Sequence, residues 1–358
     1  MSINICGWNS FFEEQMLQIS DESLNVARVI SADTSVFSII NEDGFCEARL
    51  SGRFVCFAQE KSDYPVTGDW VLFRACDDMN LIERVFERKT VFQRINAGKT
   101  SDRQVIAANI DIMFITNALE GGRDFNERSI ERYILSVMDG GAKPVILLNK
   151  SDLCTSDQII QYKGRAKSVA KDINVIALSA LSGEGLPELQ SYLVGGVTAA
   201  FTGPSGVGKS ALINAITGND VQKTGNIRSD DKRGRHTTSS GKLYQLQNGA
   251  MIIDTPGLRE LRLLADQDSL EEVFPEIAEA AISCKFKDCT HNGEPGCNVM
   301  QKIEEGKISL ERYNSWLKLK KEIDVTNMMR SEKGRSQKKS RDKALAKIIR
   351  EHNRSSFK

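Results

Sequence analysis

The sequence predicts a multi-domain α/β protein in which a small β-barrel precedes a mainly parallel sheet and a helical C-terminal segment. Three observations predict it: short β-rich runs between about residues 27 and 93, strand–helix alternation from about residue 111, and a helical pattern from about residue 266. The chain has 358 residues, which suits two or three domains, and 40% of them are hydrophobic, which suits a buried core.

Residues 1–25 predict an N-terminal helical extension, and residues 26–95 predict a small β-barrel. The β-rich runs, separated by turn residues, are ARVISAD, VFSIINED, CEARLSG, FVCFAQ, DWVLFRA and LIERVFER. A five-stranded oligonucleotide/oligosaccharide-binding (OB) barrel fits this length. Another small barrel or a sandwich is the alternative.

Strands and helices alternate over residues 96–265, which is typical of a parallel sheet flanked by helices. Strands are predicted at DIMFITNAL, KPVILLNK, NVIALSA and VTAAFTG, and a hairpin at KLYQLQNGAMIIDTPG. Residues 266–327 predict helices around an insert with cysteine and histidine. Residues 328–358 predict a basic tail that is disordered when free.

Charge is distributed unevenly, although basic and acidic residues balance at 48 each. The tail carries eleven basic residues against three acidic ones, which indicates contact with a polyanion. A solubilising tail is the alternative. The sequence has no signal-peptide pattern and no apolar run of membrane length. We therefore expect a cytoplasmic protein without membrane contact, whose eight cysteines stay reduced.

The stretch FTGPSGVGKSALINAI has the G-x-x-x-x-G-K-S spacing of a phosphate-binding loop between an apolar strand and an apolar helix. Backbone N–H groups of such a loop, and the helix that follows it, attract phosphate oxygens. Lys209 would neutralise the β- and γ-phosphates, a catalytic role, and the Ser210 hydroxyl would bind Mg²⁺. The predicted nucleotide-binding residues here are Gly203, Pro204, Ser205, Gly206, Val207, Gly208, Lys209, Ser210 and Ala211. A glycine-rich turn with a stray lysine is the alternative.

The run LLNKSDL predicts guanine as the base. The Asp152 carboxylate matches the N1–H and 2-amino donors of guanine, a pair that adenine lacks. The Lys150 stem would pack over the base, and ALSALSGEG resembles a loop that supports the base through a backbone N–H. The predicted base-binding residues are Asn149, Lys150, Ser151, Asp152, Ser179 and Ala180. A chance match to NKSD is the alternative, and its place at a strand end argues against it.

The runs IIDTPGL and KRGRHTTSSG predict the Mg²⁺ and γ-phosphate side of the site. Asp254 ends a predicted strand and would hold Mg²⁺ through water, while the Gly257 N–H would contact the γ-phosphate. Thr237 or Thr238 would supply the hydroxyl that closes on Mg²⁺ in the GTP state.

These motifs occur as base loop, base support, phosphate loop, switch I and switch II, which is a cyclic rotation of the usual GTPase order. A site depends on positions in space, so a circular permutation preserves every contact. The permuted order, GRHTTS, DTPGL and a following Cys/His cluster resemble the RsgA (YjeQ) family of ribosome small-subunit-dependent GTPases, over about Ala27 to Asn327.

This resemblance implies a GTPase that binds the small ribosomal subunit and its rRNA, is stimulated by it, and acts as a monomer in late subunit maturation. An OB barrel, a zinc-knuckle-like domain and a basic tail each bind nucleic acid in many proteins. One alternative is an RNA-binding regulator that uses GTP as a conformational clamp with vestigial hydrolysis. Another is an ATP-dependent P-loop enzyme, which NKSD disfavours.

A catalytic glutamine is missing from its usual place. Leu258 occupies the position at which many GTPases carry the glutamine that orients the attacking water, so we expect slow intrinsic hydrolysis. His236 is the candidate to orient water instead, and the family resemblance supports this catalytic role. A solvated loop histidine is the alternative.

The run CKFKDCTHNGEPGC predicts one structural zinc ion. Its candidate ligands are Cys284, Cys289, His291 and Cys297. Three thiolates and one imidazole fill a tetrahedral zinc shell and leave no open position. Free thiols in a loop are the alternative. Lys285 and Lys287 would touch phosphate or form a solvated face.

Overall fold

The computed structural model describes residues 6–33, 35–77, 79–95, 103–119, 125–170, 172–218, 241–254, 267–325 and 327. The described residues form two compact units, the first within residues 6–254 and the second within residues 267–327.

The first unit begins with helix α1 (Ser10–Met16). Asn9 caps this helix, because its side-chain oxygen accepts a hydrogen bond from the backbone N–H of Phe11 at 3.1 Å. Phe12 is buried, and its ring stacks with that of Trp8. The helix is shorter than the extension predicted over residues 1–25.

Five strands close into a barrel. They are β1 (Asn25–Ala32), β2 (Phe37–Asn41), β3 (Gly44–Leu50), β4 (Trp70–Arg74) and β5 (Asn80–Val85). Their order is β1-β2-β3-β5-β4, and β4 pairs back to β1. Only β3 and β5 pair in parallel within this barrel. The core residues of the barrel are Ala27, Val29, Phe37, Ile39, Ala48, Val71, Phe73 and Ile82. The predicted OB-like barrel is confirmed.

The run FVCFAQ was predicted as a strand, and that prediction is wrong. Its first four residues lie in helix α2 (Gly52–Phe57), which begins where the Ser51 hydroxyl accepts a hydrogen bond from the Phe54 N–H at 3.0 Å. The helix buries none of its side chains. Strand preference reflects packing against neighbours on a sheet, and these aromatic and β-branched residues have no such neighbours.

A hairpin that was not predicted follows the barrel. It pairs β6 (Val91–Ile95) with β7 (Arg103–Ala108) in antiparallel register. The main sheet of the α/β part then contains β8 (Ile112–Ala118), β9 (Lys143–Asn149), β10 (Val175–Ala177), β11 (Thr198–Thr202), β12 (Lys242–Gln245) and β13 (Met251–Asp254).

The order of these strands is β10-β9-β8-β11-β13-β12. All neighbours pair in parallel except β12 and β13, which form the predicted antiparallel hairpin. The helices of this part are α3 (Glu127–Asp139), α4 (Ser156–Val169), α5 (Leu186–Gln190) and α6 (Lys209–Thr217). The predicted mainly parallel α/β sheet is confirmed.

The barrel and the α/β sheet are joined edge to edge. Strand β1 pairs with β12 through Ser31 and Lys242, which makes one continuous sheet of eleven strands. The barrel therefore pairs with β12, and β12 in turn pairs with β13, which ends at Asp254.

The second unit is helical, as predicted. It contains α7 (Gln267–Val273), α8 (Pro275–Ile282), α9 (Asn298–Glu304) and α10, which spans residues 310–325. The predicted metal ligands lie on the connection between α8 and α9 and at the start of α9. Within the described part of the chain, no helix is both long and apolar enough to cross a membrane.

Candidate functional site

Loops that carry the predicted nucleotide-binding residues meet at one edge of the α/β sheet. Asn149 ends β9, Thr202 ends β11 and Asp254 ends β13. These strands run parallel, so their carboxyl ends and the loops that follow lie on the same side, where open α/β sheets bind ligands.

The phosphate loop runs from Gly203 to Gly208 and enters α6. Gly203 has a φ of 134°, and a Cβ atom there would lie 2.1 Å from the backbone oxygen of Thr116, so this position requires glycine. Gly208 has a φ of 94° and precedes the first turn of α6, which contains Lys209, Ser210 and Ala211.

Lys209 bends back over the loop. Its ammonium donates hydrogen bonds to the carbonyl oxygens of Gly203 at 2.7 Å and Pro204 at 2.6 Å. A single positive charge is thus held beside backbone N–H groups and a helix N-terminus, an arrangement that suits phosphate oxygens.

Asn149 connects the base loop to two other loops. Its side-chain N–H donates to the backbone oxygen of Val207 in the phosphate loop at 2.8 Å, and its side-chain oxygen accepts from the Ala180 N–H at 3.1 Å. Asn149 is only 2% exposed. The side chain predicted to read the base therefore also ties the phosphate loop and the base-support loop together.

Ser179 organises the base-support loop. Its hydroxyl accepts hydrogen bonds from the N–H groups of Leu181 at 3.2 Å and Ser182 at 3.1 Å. The Ser179 N–H in turn donates to the Glu184 backbone oxygen at 2.9 Å. The Ala180 N–H donates to the Asn149 side chain, so the loop that contains Ser179 and Ala180 is positioned by two independent sets of bonds.

The base loop has a fixed backbone. Lys150 adopts the left-handed region at a φ of 65°, and a single 3₁₀ turn over Ser151–Leu153 follows. The N–H of Ser151, a buried residue, donates to the Leu178 backbone oxygen at 3.1 Å. Asp152 is exposed within this turn, where its carboxylate is open to a ligand.

Asp254 stands at the magnesium side of the predicted site. It ends β13 and lies opposite Lys242 in the antiparallel pair with β12. Its carboxylate and the Ser210 hydroxyl are hard oxygen donors from loops at the same sheet edge, which is the ligand type that Mg²⁺ prefers. His236, Thr237, Thr238 and Gly257 lie outside the described residues.

The predicted metal ligands of the second unit come together. One ligand atom from each of Cys284, Cys289, His291 and Cys297 lies within 4.8 Å of the others. His291 Nδ1 is 3.5 Å from Cys284 Sγ and 3.6 Å from Cys297 Sγ, so this ring nitrogen faces the sulfurs. A tetrahedral Cys₃His metal centre fits this arrangement.

Helix α9 affects the charge of this cluster. Burial raises the pKa of the Cys284 thiol, but the backbone N–H groups of Asn298 and Val299 at the start of α9 hydrogen-bond it and bring its pKa below the ordinary value. Burial and the nearby Lys320 lower the pKa of His291. The shifts at Cys284 and His291 favour the thiolate and the neutral imidazole, the forms that bind metal, whereas burial and the neighbouring Cys297 and Cys284 thiols raise the pKa of Cys289 to about 11.

Two residues that the sequence analysis did not assign support the cluster. The Glu294 carboxylate accepts hydrogen bonds from the N–H groups of Thr290 at 2.9 Å and Asn292 at 2.7 Å, and the Thr290 side chain helps hold its pKa at about 2. The Tyr313 hydroxyl donates to the His291 backbone oxygen at 2.6 Å. Glu294 lies inside the ligand run and could have been suspected, whereas Tyr313 on α10 gives no local signal.

Together, the fold and the loops at the sheet edge define a circularly permuted P-loop GTPase. Along the chain, a barrel precedes it and a Cys₃His cluster follows it. A family model described as RsgA GTPase matches residues 85–264. A small ribosomal subunit biogenesis GTPase RsgA from Methanosarcina acetivorans is 42% identical over 324 residues, with 89% of this chain and 85% of that protein covered. The protein named small ribosomal subunit biogenesis GTPase RsgA 2 from Lactiplantibacillus plantarum is 40% identical, with 92% of both chains covered.

Solved structures share the fold. The crystal structure of YjeQ from Thermotoga maritima superposes with a TM-score of 0.63 at 24% identity and covers 84% of this chain and 98% of its own. The structure of YloQ, described as a circularly permuted GTPase, gives a TM-score of 0.61 at 21% identity, with 86% and 97% covered. The chain belongs to the RsgA GTPase family.

Glycine 208 provides a test of the Asn149 connection. A Cβ atom at Gly208 would lie 2.3 Å from Asn149 Nδ2, whereas one at Gly206, which has a similar φ of 84°, meets nothing within 4 Å. Both alanine variants carry left-handed backbone strain, so their difference isolates the contact. We expect Gly208→Ala to lower the free energy of unfolding by about 2 kcal/mol more than Gly206→Ala, as overpacking commonly does.

Urea unfolding without nucleotide would measure this difference, and GDP binding would show whether the displaced Asn149 also weakens the site. Equal unfolding free energies for the two variants would contradict the close contact between the phosphate loop and Asn149.

Proposed function

We propose that the protein hydrolyses GTP during late maturation of the small ribosomal subunit, that it binds the subunit and its rRNA, and that the subunit stimulates hydrolysis. It acts as a monomer in the cytoplasm. The observation that carries the proposal is the Asn149 side chain, which joins a guanine-type base loop to a phosphate loop in a chain of the RsgA GTPase family. Relatives of this chain are named small ribosomal subunit biogenesis GTPases.

Each part of the site has a role in this proposal. Lys209 and the backbone N–H groups of the loop from Gly203 to Gly208, in which Pro204 has none, would bind the phosphates; Ser210 would ligate Mg²⁺, and Asp254 would hold it through water. Magnesium supplies charge neutralisation on the phosphate oxygens. Asp152 and Lys150 bind guanine, with Asn149, Ser151, Ser179 and Ala180 fixing the loops around it.

Hydrolysis itself adds water to the γ-phosphorus and breaks its bond to the oxygen that bridges the β- and γ-phosphates. His236 orients this water in place of the glutamine that Leu258 replaces. Thr237 or Thr238 closes on Mg²⁺, and the Gly257 N–H contacts the γ-phosphate. Because the water-orienting group lies in the run KRGRHTTSSG, a partner that contacts this run raises the rate.

Subunit-stimulated turnover is the test of the proposal. We expect slow GTP hydrolysis by the protein alone and an increase of about tenfold or more when small subunits are added. Large subunits serve as the control. Turnover that small subunits leave unchanged would instead favour an RNA-binding regulator that uses GTP as a clamp.

The affinities of the protein for GTP and for xanthosine triphosphate (XTP) test the base assignment. We expect Asp152→Asn to weaken GTP binding and to favour XTP, since xanthine carries an oxygen where guanine carries its 2-amino group, and an amide N–H can donate to that oxygen. Asp157→Asn, on the exposed side of α4, is the matched control. A variant at Asp152 that keeps full preference for GTP would remove this residue from base recognition.

We further propose that the Cys₃His cluster holds one structural zinc ion per chain. All four ligands come from the chain, so the metal stabilises the second unit and takes no part in hydrolysis. Metal analysis of the purified protein is expected to give one zinc per chain. Cys289→Ser should lose the metal and destabilise the unit, while Cys76→Ser, an exposed cysteine in the barrel region, should keep it. Stoichiometric zinc in the Cys289 variant would argue against this ligand set.

Helix α2 is the proposed rRNA contact of the barrel. Phe57 is 72% exposed, and the Arg53 guanidinium lies 6.0 Å from the centre of its ring. An exposed aromatic ring beside an arginine can stack on unpaired bases and attract phosphate. The basic tail of residues 328–358 and Lys285 and Lys287 are further proposed contacts.

The double variant Arg53→Ala and Phe57→Ala is therefore expected to weaken binding of small subunits by about tenfold, the scale of losing one stacked base. Folding should be unaffected because α2 buries no side chain. Ile160→Ala, which removes an apolar side chain that is 68% exposed on α4, is the control. Equal affinity of both variants in a sedimentation assay would move the contact elsewhere on the protein.

A further inference from the structure

The loop of residues 66–69, here called the barrel loop, is rigidly attached to the barrel. The Gly68 N–H donates to the Val29 oxygen at 2.9 Å, and the Val66 N–H donates to the Asp69 carboxylate at 2.8 Å. The Arg88 guanidinium donates hydrogen bonds to both oxygens of the fully buried Asp69 carboxylate, from Nε to Oδ1 at 2.8 Å and from Nη2 to Oδ2 at 2.7 Å. Two-point pairing of this kind fixes orientation as well as position.

From this rigid loop, Thr67 reaches into the α/β sheet. Its hydroxyl donates to the backbone oxygen of Gly241, the residue before β12, at 2.6 Å, and the contact is buried. Next to it, Gly68 lies so close to the sheet that a Cβ atom would be 3.0 Å from the Ile253 side chain. The barrel loop therefore contacts the residue that precedes β12 and lies against the Ile253 side chain of β13.

Gly241 in turn contacts the end of β13. A Cβ atom on Gly241 would lie 2.9 Å from the backbone oxygen of Asp254, so the two backbones touch. The next residue, Lys242, pairs with Asp254 on one side and with Ser31 of the barrel on the other. One buried hydrogen bond thus leads from the barrel to the backbone of Asp254.

We propose that Thr67 is a positioning residue for Asp254: by holding Gly241, the barrel sets the position of the carboxylate assigned to Mg²⁺. The role of that carboxylate rests on the proposed function. Thr67 touches no reacting atom and acts through the backbone. If the Thr67 hydroxyl is removed, the Gly241 carbonyl loses this buried hydrogen bond. The Gly241 backbone then shifts toward another donor and moves the end of β13 with it.

A second buried threonine provides a matched control. The Thr90 hydroxyl donates to the Ile110 oxygen and accepts from the Ile110 N–H, both at 2.7 Å. Ile110 precedes β8, at the amino end of the sheet, away from the edge that carries Asp254. Replacing either threonine by valine keeps the shape of the side chain. Thr67→Val removes one buried hydrogen bond and Thr90→Val removes two, so a purely structural role predicts at least as large an effect from Thr90→Val.

The experiment compares Thr67→Val, Thr67→Ser and Thr90→Val. The first measurement is the affinity for a fluorescent, non-hydrolysable GTP analogue with Mg²⁺ and with EDTA, and the second is subunit-stimulated kcat and KM. For Thr67→Val we expect unchanged affinity in EDTA, about fivefold loss of the affinity gained from Mg²⁺, and a similar loss in kcat. Thr67→Ser should keep both values, and Thr90→Val should lower stability alone.

Equal losses in Thr67→Val and Thr90→Val, or no loss in either, would overturn the inference. If Thr67→Val does not fold, Gly241→Ala tests the same contact from the other side, since its added methyl presses on the Asp254 oxygen. An unchanged Mg²⁺ effect in that variant would also overturn it. Failure of wild-type stimulation by small subunits would instead overturn the proposed function, and the Mg²⁺ measurement would still decide the role of Thr67.

Discussion

The hydrogen bonds of the Asn149 side-chain amide are the interaction on which the proposed nucleotide site depends. It joins three loops that are far apart in the chain, because its donor bonds Val207 and its acceptor bonds Ala180. Both partners are backbone groups, so the bonds fix where the loops lie and do not depend on the side chains those loops carry. Buried hydrogen bonds are expensive to leave unmade, and this makes the arrangement of the three loops cooperative. The permuted order of the chain leaves it intact, since a parallel sheet brings the loops to one edge whatever the connection between strands.

A buried arginine holds the barrel to the α/β part. Arg28 on β1 donates to the backbone oxygens of Cys6, Gly68 and Asn109, which belong to three different segments. Burial lowers its pKa to about 10, so it stays charged at neutral pH. Charge-assisted bonds to carbonyl oxygens offset part of the cost of burying the guanidinium. The barrel loop and β1 are thereby fixed to the sheet near β13, which ends at Asp254. The barrel can therefore affect the position of a residue of the proposed nucleotide site through these contacts.

The Cys₃His cluster shows how a short run of candidate metal ligands is brought together by the chain. His291 adopts the left-handed region at a φ of 63°, which is uncommon outside glycine but which histidine takes more often than most residues, and Tyr313 holds its carbonyl from α10. The Glu294 carboxylate accepts hydrogen bonds from the Thr290 and Asn292 N–H groups of the same loop. These bonds place the four ligands together through the chain itself, so a bound metal would stabilise a loop whose shape the protein already favours.

The sequence by itself determined the motifs and the element types that local patterns encode. The glycine spacing of the phosphate loop, NKSD, the Cys/His spacing and the alternation of strands and helices depend on neighbours along the chain, and the structure has these elements where they were predicted. The tertiary structure alone decided what depends on distant neighbours. FVCFAQ has strand-like residues but pairs with none of the described strands, and Ser51 caps a helix that contains its first four residues. Strands β6 and β7 depend on pairing with each other, although residues 96–102 separate them along the chain. Asn149 and Val207 are 58 residues apart, and Thr67 and Gly241 are 174 apart, so no local preference could reveal either bond. Contacts at such separations form only when the folded sheet and barrel bring the chain segments together, and they decide how the motifs are held.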